Sequence, residues 1–391
     1  MLNQNQTKAV VANDRFIFLL AGAGTGKTRV LIERIKRLIK EGVSEGNLLV
    51  ITFTKKSAEE LKERIPKKLG NPLITTFHGF CYQMLKPHIK IRLVDNDFLI
   101  QNGFTKDDIR NIDIQKRNQH TSKLLKRYNK LLKKHQYIDF TDLEIIMLQK
   151  LKDKSFKKQI TDTYTHLFID EFQDTSFYQF ALIKQFKSNH SYIFSVGDPD
   201  QSIYGFRGAN KQVIEQYLKY FKAKLYTLDL NYRSSKEIVL ISNRVIKHNT
   251  NRYPKTLVSF IKEKGHIHIR YFKDETDQIN YIINEIKTLL AKRLQYQDIA
   301  ILYRNHYLSN NLKQAFIDRY IEGINLLTIH QSKGLEFKAV FIIGLNEGIL
   351  PMDDIEEERR LFYVAMTRAK RHLYLLVNTQ HKVSRFIGEC L

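Results

Sequence analysis

The stretch that decides the fold is FIFLLAGAGTGKT, from Phe16 to Thr28. Its first half is a short apolar run, which is typical of a buried strand, and its second half breaks into glycines before Gly26-Lys27-Thr28. This combination predicts a strand that turns through a phosphate-binding loop into a helix. The strict form of the loop has glycine where Ala21 stands, so the stretch fits only the looser form that accepts alanine.

Each residue type in this loop suits a triphosphate. The glycines let the backbone approach phosphate oxygens and direct successive N–H groups at them. Lys27 would bring positive charge to the β and γ phosphates, and the Thr28 hydroxyl would hold Mg2+. The predicted nucleotide-binding residues here are Ala21, Gly22, Ala23, Gly24, Thr25, Gly26, Lys27 and Thr28. A glycine-rich turn that binds no nucleotide is the alternative.

The composition indicates a polyanionic partner. The 391 residues include 64 Lys and Arg against 41 Asp and Glu, which gives a net charge of +23. Nucleic acid fits this imbalance best, although charge that serves only solubility is the alternative. Cys81 and Cys390 are far apart in sequence, which favours a reducing compartment. The apolar run at residues 16–20 is too short for a membrane segment, so we expect a soluble cytoplasmic protein without a membrane partner.

Alternating strand and helix patterns predict an α/β fold with parallel sheets flanked by helices. A first block holds the phosphate-binding loop, and a second block that begins near Lys224 contains no second loop of this kind. We therefore predict two α/β domains, the first discontinuous. The predicted boundaries are residues 1–85 and 138–223 for the first domain, 86–137 for a small helical insert, and 224–391 for the second domain.

The insert is basic. Eight Lys and Arg residues and no acid lie between Lys116 and Lys134, and apolar residues such as Leu125 and Tyr128 recur at helical spacing. The positive charge is therefore predicted to lie on the opposite helix face. It would be a phosphate-facing surface or, alternatively, a solvated face.

Asp170 and Glu171 end the predicted strand HLFIDE. Nucleotide hydrolysis needs one carboxylate to hold Mg2+ and another to orient or deprotonate water, and adjacent acids at a strand end can serve both needs. Downstream of a phosphate-binding loop, this pair is predicted to be catalytic, with Asp170 and Thr28 as the Mg2+ ligands. The alternative is that the two acids are ordinary surface residues without a catalytic role.

The ordered set of motifs resembles the UvrD/Rep (PcrA-like) superfamily 1 helicases. The resemblance runs from residue 2 to about residue 378 and is weak only across the basic insert. It rests on LNQNQ, AGAGTGKT, ITFTKKSAEELKERI, TFHGF, IDFTDL, FIDEFQDTS, VGDPDQSIYGFRGA, LNYRSS, LTIHQSKGLEF and EEERRLFYVAMTRAK. It implies two RecA-like P-loop NTPase domains.

The resemblance implies further ATP-binding and catalytic residues. Gln6 would read the adenine edge, while Tyr232 and Arg29 would sandwich the ring. Glu336 would hold the ribose, and Gln201 would sense the γ-phosphate. Arg233 and Arg368 would act as arginine fingers, because a bidentate guanidinium stabilises transition-state charge.

The resemblance also implies a track for single-stranded DNA. Unpaired bases would stack on aromatic side chains, and the backbone would be touched by hydroxyls, imidazoles and a guanidinium. The stacking residues would be Phe53, Phe140, Tyr204 and Phe206, and the backbone contacts would be Thr54, Thr76, His78, Arg207, Thr328 and His330. Core packing is the alternative for the aromatics and matters most for Phe53 and Phe140.

The chain departs from the family pattern at two places. Phe206 stands where relatives usually carry tryptophan, so its stack would be weaker. Only residues 317–326 separate the helix that contains Ala315 and Phe316 from the LLTIHQ strand, at the place where relatives insert an accessory domain. We expect the motor to be intact and the duplex-gripping parts to be reduced.

The sequence-based expectation is an ATP- and Mg2+-dependent DNA helicase that moves 3′ to 5′ on single-stranded DNA and acts at single-strand/duplex junctions. It would be cytoplasmic and nucleoid-associated. Three alternatives stay open: a translocase that displaces proteins without unwinding, a nucleotide-gated DNA-binding subunit that does not hydrolyse ATP, and a subunit of a helicase-nuclease assembly, which would need a partner.

Overall fold

A computed structural model of the chain describes residues 1–66, 69–205, 212–250 and 252–391. These residues form two compact units. The first unit consists of Met1–Ala21, Lys27–Asp198 and Tyr204–Leu228. The second consists of Gly22–Gly26, Pro199–Ile203 and Asp229–Leu391, so the glycine loop and the turn with Gln201 group with the C-terminal half.

A six-stranded sheet forms the centre of the first unit. Its strands are β1 (Phe16–Ala21), β2 (Leu48–Thr52), β3 (Leu73–Thr76), β4 (His166–Ile169), β5 (Tyr192–Gly197) and β6 (Lys224–Leu228). They lie in the order β3-β2-β4-β5-β1-β6, and every neighbouring pair is parallel. All five residues of β2 are buried, as expected for a parallel sheet that is covered on both faces.

Eleven helices are seen among the described residues of the first unit. They are α1 (Gln4–Val11), α2 (Lys27–Lys40), α3 (Lys55–Arg64), α4 (Phe77–Leu85), α5 (Asn96–Gln101), α6 (Lys106–Arg117), α7 (Lys123–His135), α8 (Phe140–Lys150), α9 (Lys154–Thr163), α10 (Phe177–Gln185) and α11 (Val213–Phe221). Helix α2 follows the glycine loop directly and buries Val30, Leu31 and Ile35, the apolar face that its sequence predicts.

One strand lies in a different sheet from the one that its sequence position indicated. Strand β6 begins at Lys224, where the second predicted block starts, but it pairs in parallel with β1 from Ile17 to Ala21. The first sheet therefore extends to Leu228. Sequence periodicity shows that a segment is a strand, but it does not show which strand it will pair with.

The basic insert has its own small core. Residues of α5, α6 and α7 pack together, including Leu99, Ile112 and Leu125. Its two ends are joined at the base, where the Ile138 N–H donates to Arg92 O at 2.9 Å. The predicted charge segregation is confirmed on α7, since its apolar face is buried and its lysines are exposed: Lys123, Lys126, Lys130, Lys133 and Lys134. It is wrong for Lys116, which lies on α6, is 7% exposed and pairs with Asp139 and Asp142 at 2.6 Å.

The second unit contains a five-stranded and a two-stranded sheet. Its strands are β7 (Leu230–Ser235), β8 (Val258–Ile261), β9 (His266–Phe272), β10 (Ile299–Tyr303), β11 (Asn325–Thr328), β12 (Phe337–Ile342) and β13 (Ala369–Asn378). The larger sheet has the parallel order β11-β10-β12-β13-β9, and β7 pairs in parallel with β8. Its helices are α12 (Lys236–Ile246), α13 (Glu275–Ala291), α14 (Asn310–Ile317), α15 (Ile355–Met366) and α16 (Arg385–Cys390). The predicted α/β class with parallel sheets flanked by helices is confirmed.

A histidine group at the edge of this sheet should make stability depend on pH. The ring of His372 on β13 stacks on that of His266 on β9, with centroids 5.0 Å apart. Burial, helped by the neighbouring charges of His266 and Lys292, lowers the pKa of His372 to about 4. An unfolded histidine titrates near 6.5, so the unfolded chain binds the proton more readily.

We therefore expect the free energy of unfolding to be highest above about pH 6.5 and to fall as the pH drops towards 4. Urea unfolding at pH 7.5 and at pH 5, compared between the wild type and His372→Gln, measures the contribution of this residue. The variant should lose less stability on acidification than the wild type does. Equal losses in the two proteins would contradict the assignment.

Among the residues that the structure describes, no helix combines the length and the apolar character that crossing a bilayer requires.

Candidate functional site

In the first unit, the predicted catalytic carboxylates lie where β4 ends. The Asp170 N–H donates to Ile51 O at 2.9 Å, which continues the strand pairing and holds the Asp170 backbone in place. Glu171 has φ +51°, a left-handed conformation that non-glycine residues adopt rarely. Its Oε1 lies 3.3 Å from Nζ of Lys27, the first residue of α2. The structure thus brings together Lys27 and Glu171 of the acidic pair, which are far apart in sequence.

In the second unit, the glycine loop has the conformation that only glycine accepts readily. Gly24 and Gly26 have φ of +68° and +84°. A Cβ atom on Gly24 would lie 2.7 Å from Cβ of Arg233 and 2.8 Å from Nδ2 of Asn231. The loop is also closed on itself, because the Thr25 hydroxyl donates to Gly22 O at 2.8 Å.

Residues of the LNYRSS motif bind the loop backbone directly. Asn231 is fully buried and its Nδ2 donates to Ala23 O at 2.7 Å, while the Tyr232 N–H donates to Gly24 O at 2.8 Å. Asn231 was not among the residues predicted from the sequence, although its position inside the motif was a signal. The Tyr232 ring packs on Phe260, with centroids 5.0 Å apart.

Two predicted catalytic residues contact each other in the second unit. Arg368 is 1% exposed, and its Nη2 donates to Oε1 of Gln201 at 3.2 Å. The other two guanidinium nitrogens of Arg368 bind backbone oxygens, since Nε donates to Val364 O and Nη1 donates to Leu335 O. The arginine is therefore fixed in one orientation by the end of α15 and the turn before β12.

Arg233 and Glu336 form a second such contact. Arg233 Nε donates to Glu336 Oε2 at 2.7 Å, and Lys370 Nζ lies 2.7 Å from the other carboxylate oxygen. Partial burial would raise the pKa of the Glu336 carboxyl, but the two cations outweigh it and hold that pKa below its usual value. Glu336 is thus a charged acceptor held by two cations.

Gln6 and Arg29, the remaining predicted adenine contacts, differ in environment. Gln6 is 2% exposed and belongs to a capping box at the start of α1, where its Oε1 accepts from the Asn3 N–H at 3.0 Å. Arg29 is exposed on the first turn of α2. Asn3, which fixes the orientation of Gln6, is another residue that the sequence analysis missed.

Two of the predicted stacking residues lie face to face. The rings of Phe53 and Tyr204 are stacked, with centroids 5.0 Å apart and planes inclined by 24°. Both side chains are partly exposed, so neither is an ordinary core residue. The predictions for Phe206 and Arg207 concern positions outside the described residues.

His78 and Phe140, which both belong to the first unit, form a second aromatic pair. Their centroids are 5.0 Å apart, and Phe140 is 50% exposed, which removes the core-packing alternative for it. His78 Nε2 lies 3.0 Å from Oε1 of Glu144, a fully buried carboxylate that also accepts from Gln179 at 2.8 Å. Glu144 was missed because a single acid in an apolar helix has no motif signature.

The threonines predicted to touch the DNA backbone have structural partners. Thr54 and Thr76 cap α3 and α4, accepting from the N–H groups of Ser57 and Gly79 at 3.0 and 3.1 Å. Thr328 ends β11, is 8% exposed and donates to Gln331 Oε1 at 3.1 Å. His330 follows it and is partly exposed.

The chain belongs to the UvrD/REP helicase family. Residues 2–119 and 101–222 match the model of the UvrD/REP helicase N-terminal domain, and residues 226–324 and 308–380 match that of the UvrD-like helicase C-terminal domain. The two unit-centred parallel sheets are consistent with the two RecA-like domains of this family.

Several curated relatives cover most of the chain. It is 32% identical to a "Probable DNA helicase" of Mycoplasma pneumoniae over 99% of this chain and 86% of the relative. It is 31% identical to a "Probable DNA helicase II homolog" of Mycoplasma capricolum, over 82% of this chain and 51% of the relative. It is 32% identical to "ATP-dependent DNA helicase PcrA" of Staphylococcus aureus, over 81% of this chain and 49% of the relative. The aligned region thus spans about half the length of the latter two relatives.

The C-terminal family match consists of two segments, which join in the region where the sequence predicts that an accessory domain is missing. Its two segments, residues 226–324 and 308–380, overlap at residues 308–324. In the structure, only residues 318–324 connect α14 to β11. The alignment with the Mycoplasma pneumoniae relative runs over 457 positions against 391 residues here, so that relative contains segments that this chain lacks.

Proposed function

We propose that the protein is an ATP-dependent DNA helicase or translocase that moves along single-stranded DNA and uses Mg2+. The observation that carries the proposal is the contact of Lys27 with Glu171 at 3.3 Å, directly after a loop whose Gly24 and Gly26 have positive φ. This combination fits a nucleoside triphosphate, because glycines at positive φ let backbone N–H groups approach phosphate oxygens and Lys27 supplies a cation beside Glu171. Family membership supports the same conclusion.

The catalytic residues would divide the work as follows. Lys27 would bind the β and γ phosphates, while Thr28 and Asp170 would hold Mg2+, which supplies charge neutralisation at the phosphates when bound. Glu171 would orient the attacking water and accept its proton. Gln201, Arg233 and Arg368 would meet the γ-phosphate and stabilise the charge that develops on it. Gln6, Arg29, Tyr232 and Glu336 would bind the adenosine.

The DNA track would use the two aromatic pairs. A base could enter against Phe53 and Tyr204, whose partly exposed rings already present π faces, and another against the exposed ring of Phe140. Stacking accepts any base, which suits a motor without sequence preference. The net charge of +23 supports binding of the phosphate backbone. His78, Thr54, Thr76, Thr328 and His330 remain proposed backbone contacts.

The 3′ to 5′ direction and action at single-strand/duplex junctions are proposed from family membership. The short connection at residues 318–324 favours one alternative, a translocase that displaces proteins without separating duplex. Another alternative, a subunit that binds nucleotide without hydrolysis, is disfavoured by the presence of Lys27, Asp170 and Glu171 together with both arginines.

The test combines three measurements on the purified protein. ATP hydrolysis with and without single-stranded DNA separates a motor from a nucleotide-gated binder, because a motor should be stimulated by DNA. Unwinding of forked duplexes with either 3′ or 5′ tails tests the helicase activity and its direction. Displacement of streptavidin from biotinylated single strands, without unwinding of the forks, would favour the translocase. No hydrolysis under any condition would refute the proposal.

Tyr204→Ala should weaken binding to single-stranded DNA. One base stacked on an aromatic side chain is worth about 1–3 kcal/mol, so we expect Kd to rise about 5-fold to 150-fold. Fluorescence anisotropy with a labelled oligothymidine measures this change. Tyr204→Phe is the matched control, because it keeps the ring and should bind as the wild type does. An unchanged isotherm for the alanine variant would remove Tyr204 from the DNA track.

A further inference from the structure

The turn Pro199–Gln201 in the second unit is held by a buried ionic cluster. Asp200 is fully buried, and its Oδ2 accepts from Lys255 Nζ at 2.5 Å and from Arg252 Nη2 at 2.7 Å. Arg252 Nε donates to the other oxygen at 3.1 Å. Both carboxylate oxygens are therefore fixed by charge-assisted hydrogen bonds, which are the strong ones.

The residue after Asp200 is the proposed γ-phosphate sensor. Gln201 is 3% exposed, its Oε1 accepts from Arg368 at 3.2 Å, and its backbone oxygen accepts from Lys333 Nζ at 3.0 Å. Any movement of the Asp200 backbone would therefore move Gln201 relative to Arg368. The ionic cluster and the proposed catalytic contact share one short turn.

The chain segment that supplies the two cations also reaches the glycine loop. Leu257, two residues after Lys255, is buried against Ala23. A Cβ atom on Gly22 would lie only 2.4 Å from Leu257 Cδ2, so loop and leucine are in close contact. We call residues 252–257 the brace segment.

The brace segment is itself anchored on a helix. Asn243 of α12 donates to Leu257 O at 2.8 Å and accepts from the Leu257 N–H at 3.3 Å. The helix, the glycine loop and the turn with Gln201 are thus connected through a few consecutive residues. The brace segment contacts the glycine loop through Leu257 and the turn that carries Gln201 through Arg252 and Lys255. It would therefore keep the glycine loop and Gln201 at a fixed separation.

We propose that Arg252 and Lys255 are positioning residues for ATP hydrolysis, which hold Gln201 at a set distance from the phosphate-binding loop by clamping Asp200. This inference rests on the proposed function. The two residues act through Asp200 and do not touch the nucleotide. They were not predicted from the sequence, where they stand outside the quoted motifs.

The physical basis is the stiffness of the cluster. Burial would raise the pKa of Asp200, but Lys255 and Arg252 reverse the effect and hold that pKa below its usual value, so the carboxylate stays charged. A buried carboxylate that loses one cation is strongly destabilised and must shift or admit water. A displacement of about 1 Å in a catalytic arrangement can lower the rate by about 100-fold.

The test uses Lys255→Met in the full chain. We expect kcat for DNA-stimulated ATP hydrolysis to fall about 10-fold to 100-fold. The Kd values for a fluorescent ATP analogue and for an oligothymidine should change less than about 3-fold, because neither ligand is touched by Lys255. Lys247→Met is the matched control. Lys247 is exposed at the end of α12, in the same stretch between α12 and β8 as Lys255, and its substitution should leave kcat unchanged.

A second variant separates positioning from stability. Asp200→Asn combined with Arg252→Met and Lys255→Met removes the buried carboxylate and both of its cations, so it should recover thermal stability while kcat stays low. Recovery of kcat together with stability would show a structural role only and would overturn the inference. Wild-type kcat in Lys255→Met would overturn it as well. Absence of ATP hydrolysis in the wild type would instead refute the proposed function and the inference together.

Discussion

Lys27→Ala should reduce DNA-stimulated ATP hydrolysis by on the order of 10³-fold, one of the two largest effects that we expect from a single substitution. Lys27 is the first residue of α2, and its ammonium lies 3.3 Å from Glu171, beside the end of β4. Removing it takes away the cation that would neutralise the β and γ phosphates. It also leaves the Glu171 carboxylate without this partner, so negative charge would face the phosphates.

The measurement is a steady-state ATPase assay at saturating single-stranded DNA, together with thermal unfolding. Lys36→Ala is the matched control, because Lys36 lies on the same helix and pairs with Glu33 at 2.9 Å on its partly exposed side. The control should keep the wild-type rate. Full turnover in Lys27→Ala would reject the assignment of the phosphate-binding loop.

Arg368→Ala should cost about 10³-fold in kcat while nucleotide binding is spared, the pattern expected for an arginine that acts on the transition state. The structure gives a specific reason to expect that no other residue type can replace Arg368. Arg368 is almost fully buried, and its guanidinium is oriented by Val364 O, Leu335 O and Oε1 of Gln201. Lysine has neither the planar fork nor the reach to satisfy these three acceptors, so Arg368→Lys should also remain slow.

Because Arg368 is buried, the alanine variant could lose stability as well as activity. Arg368→Lys keeps the positive charge and much of the volume, and circular dichroism together with the Kd of a fluorescent ATP analogue establishes whether each variant is folded. Arg385→Ala serves as the control, since Arg385 pairs with Glu347 at 2.8 Å on the exposed side of α16. Wild-type kcat in a folded Arg368→Lys or Arg368→Ala protein would end the finger assignment.

Much of the fold could be predicted from local patterns. The strands β1 and β2 are almost continuous apolar runs, β4 and β5 are mainly apolar, and α2 and α7 carry apolar residues at helical spacing. The glycine loop has a motif because its chemistry requires several special residues in sequence order. Such features depend on neighbours within a few residues, and these neighbours are visible in the sequence.

Other parts of the site could not be predicted in this way. Asn231 holds Ala23 across more than two hundred residues, and Glu144 meets His78 from another helix. The brace segment contacts Asp200 through Lys255 and Arg252. In the sequence, these two residues cannot be distinguished from the basic residues of an ordinary exposed loop. These contacts join residues that are distant in sequence, and a single sequence contains no record of such pairings.

By itself, the sequence determined the α/β class and predicted the phosphate-binding loop, the acidic pair and the other candidate residues, because backbone conformation and amphipathic faces follow from local residue types. Only the tertiary structure decided that β6 pairs with β1, that Phe53 stacks on Tyr204 and that Arg368 contacts Gln201. The physical reason is that packing and hydrogen bonding select partners by position in space. Each side chain has many chemically equivalent partners along the chain, and only the folded backbone brings one particular pair within contact distance.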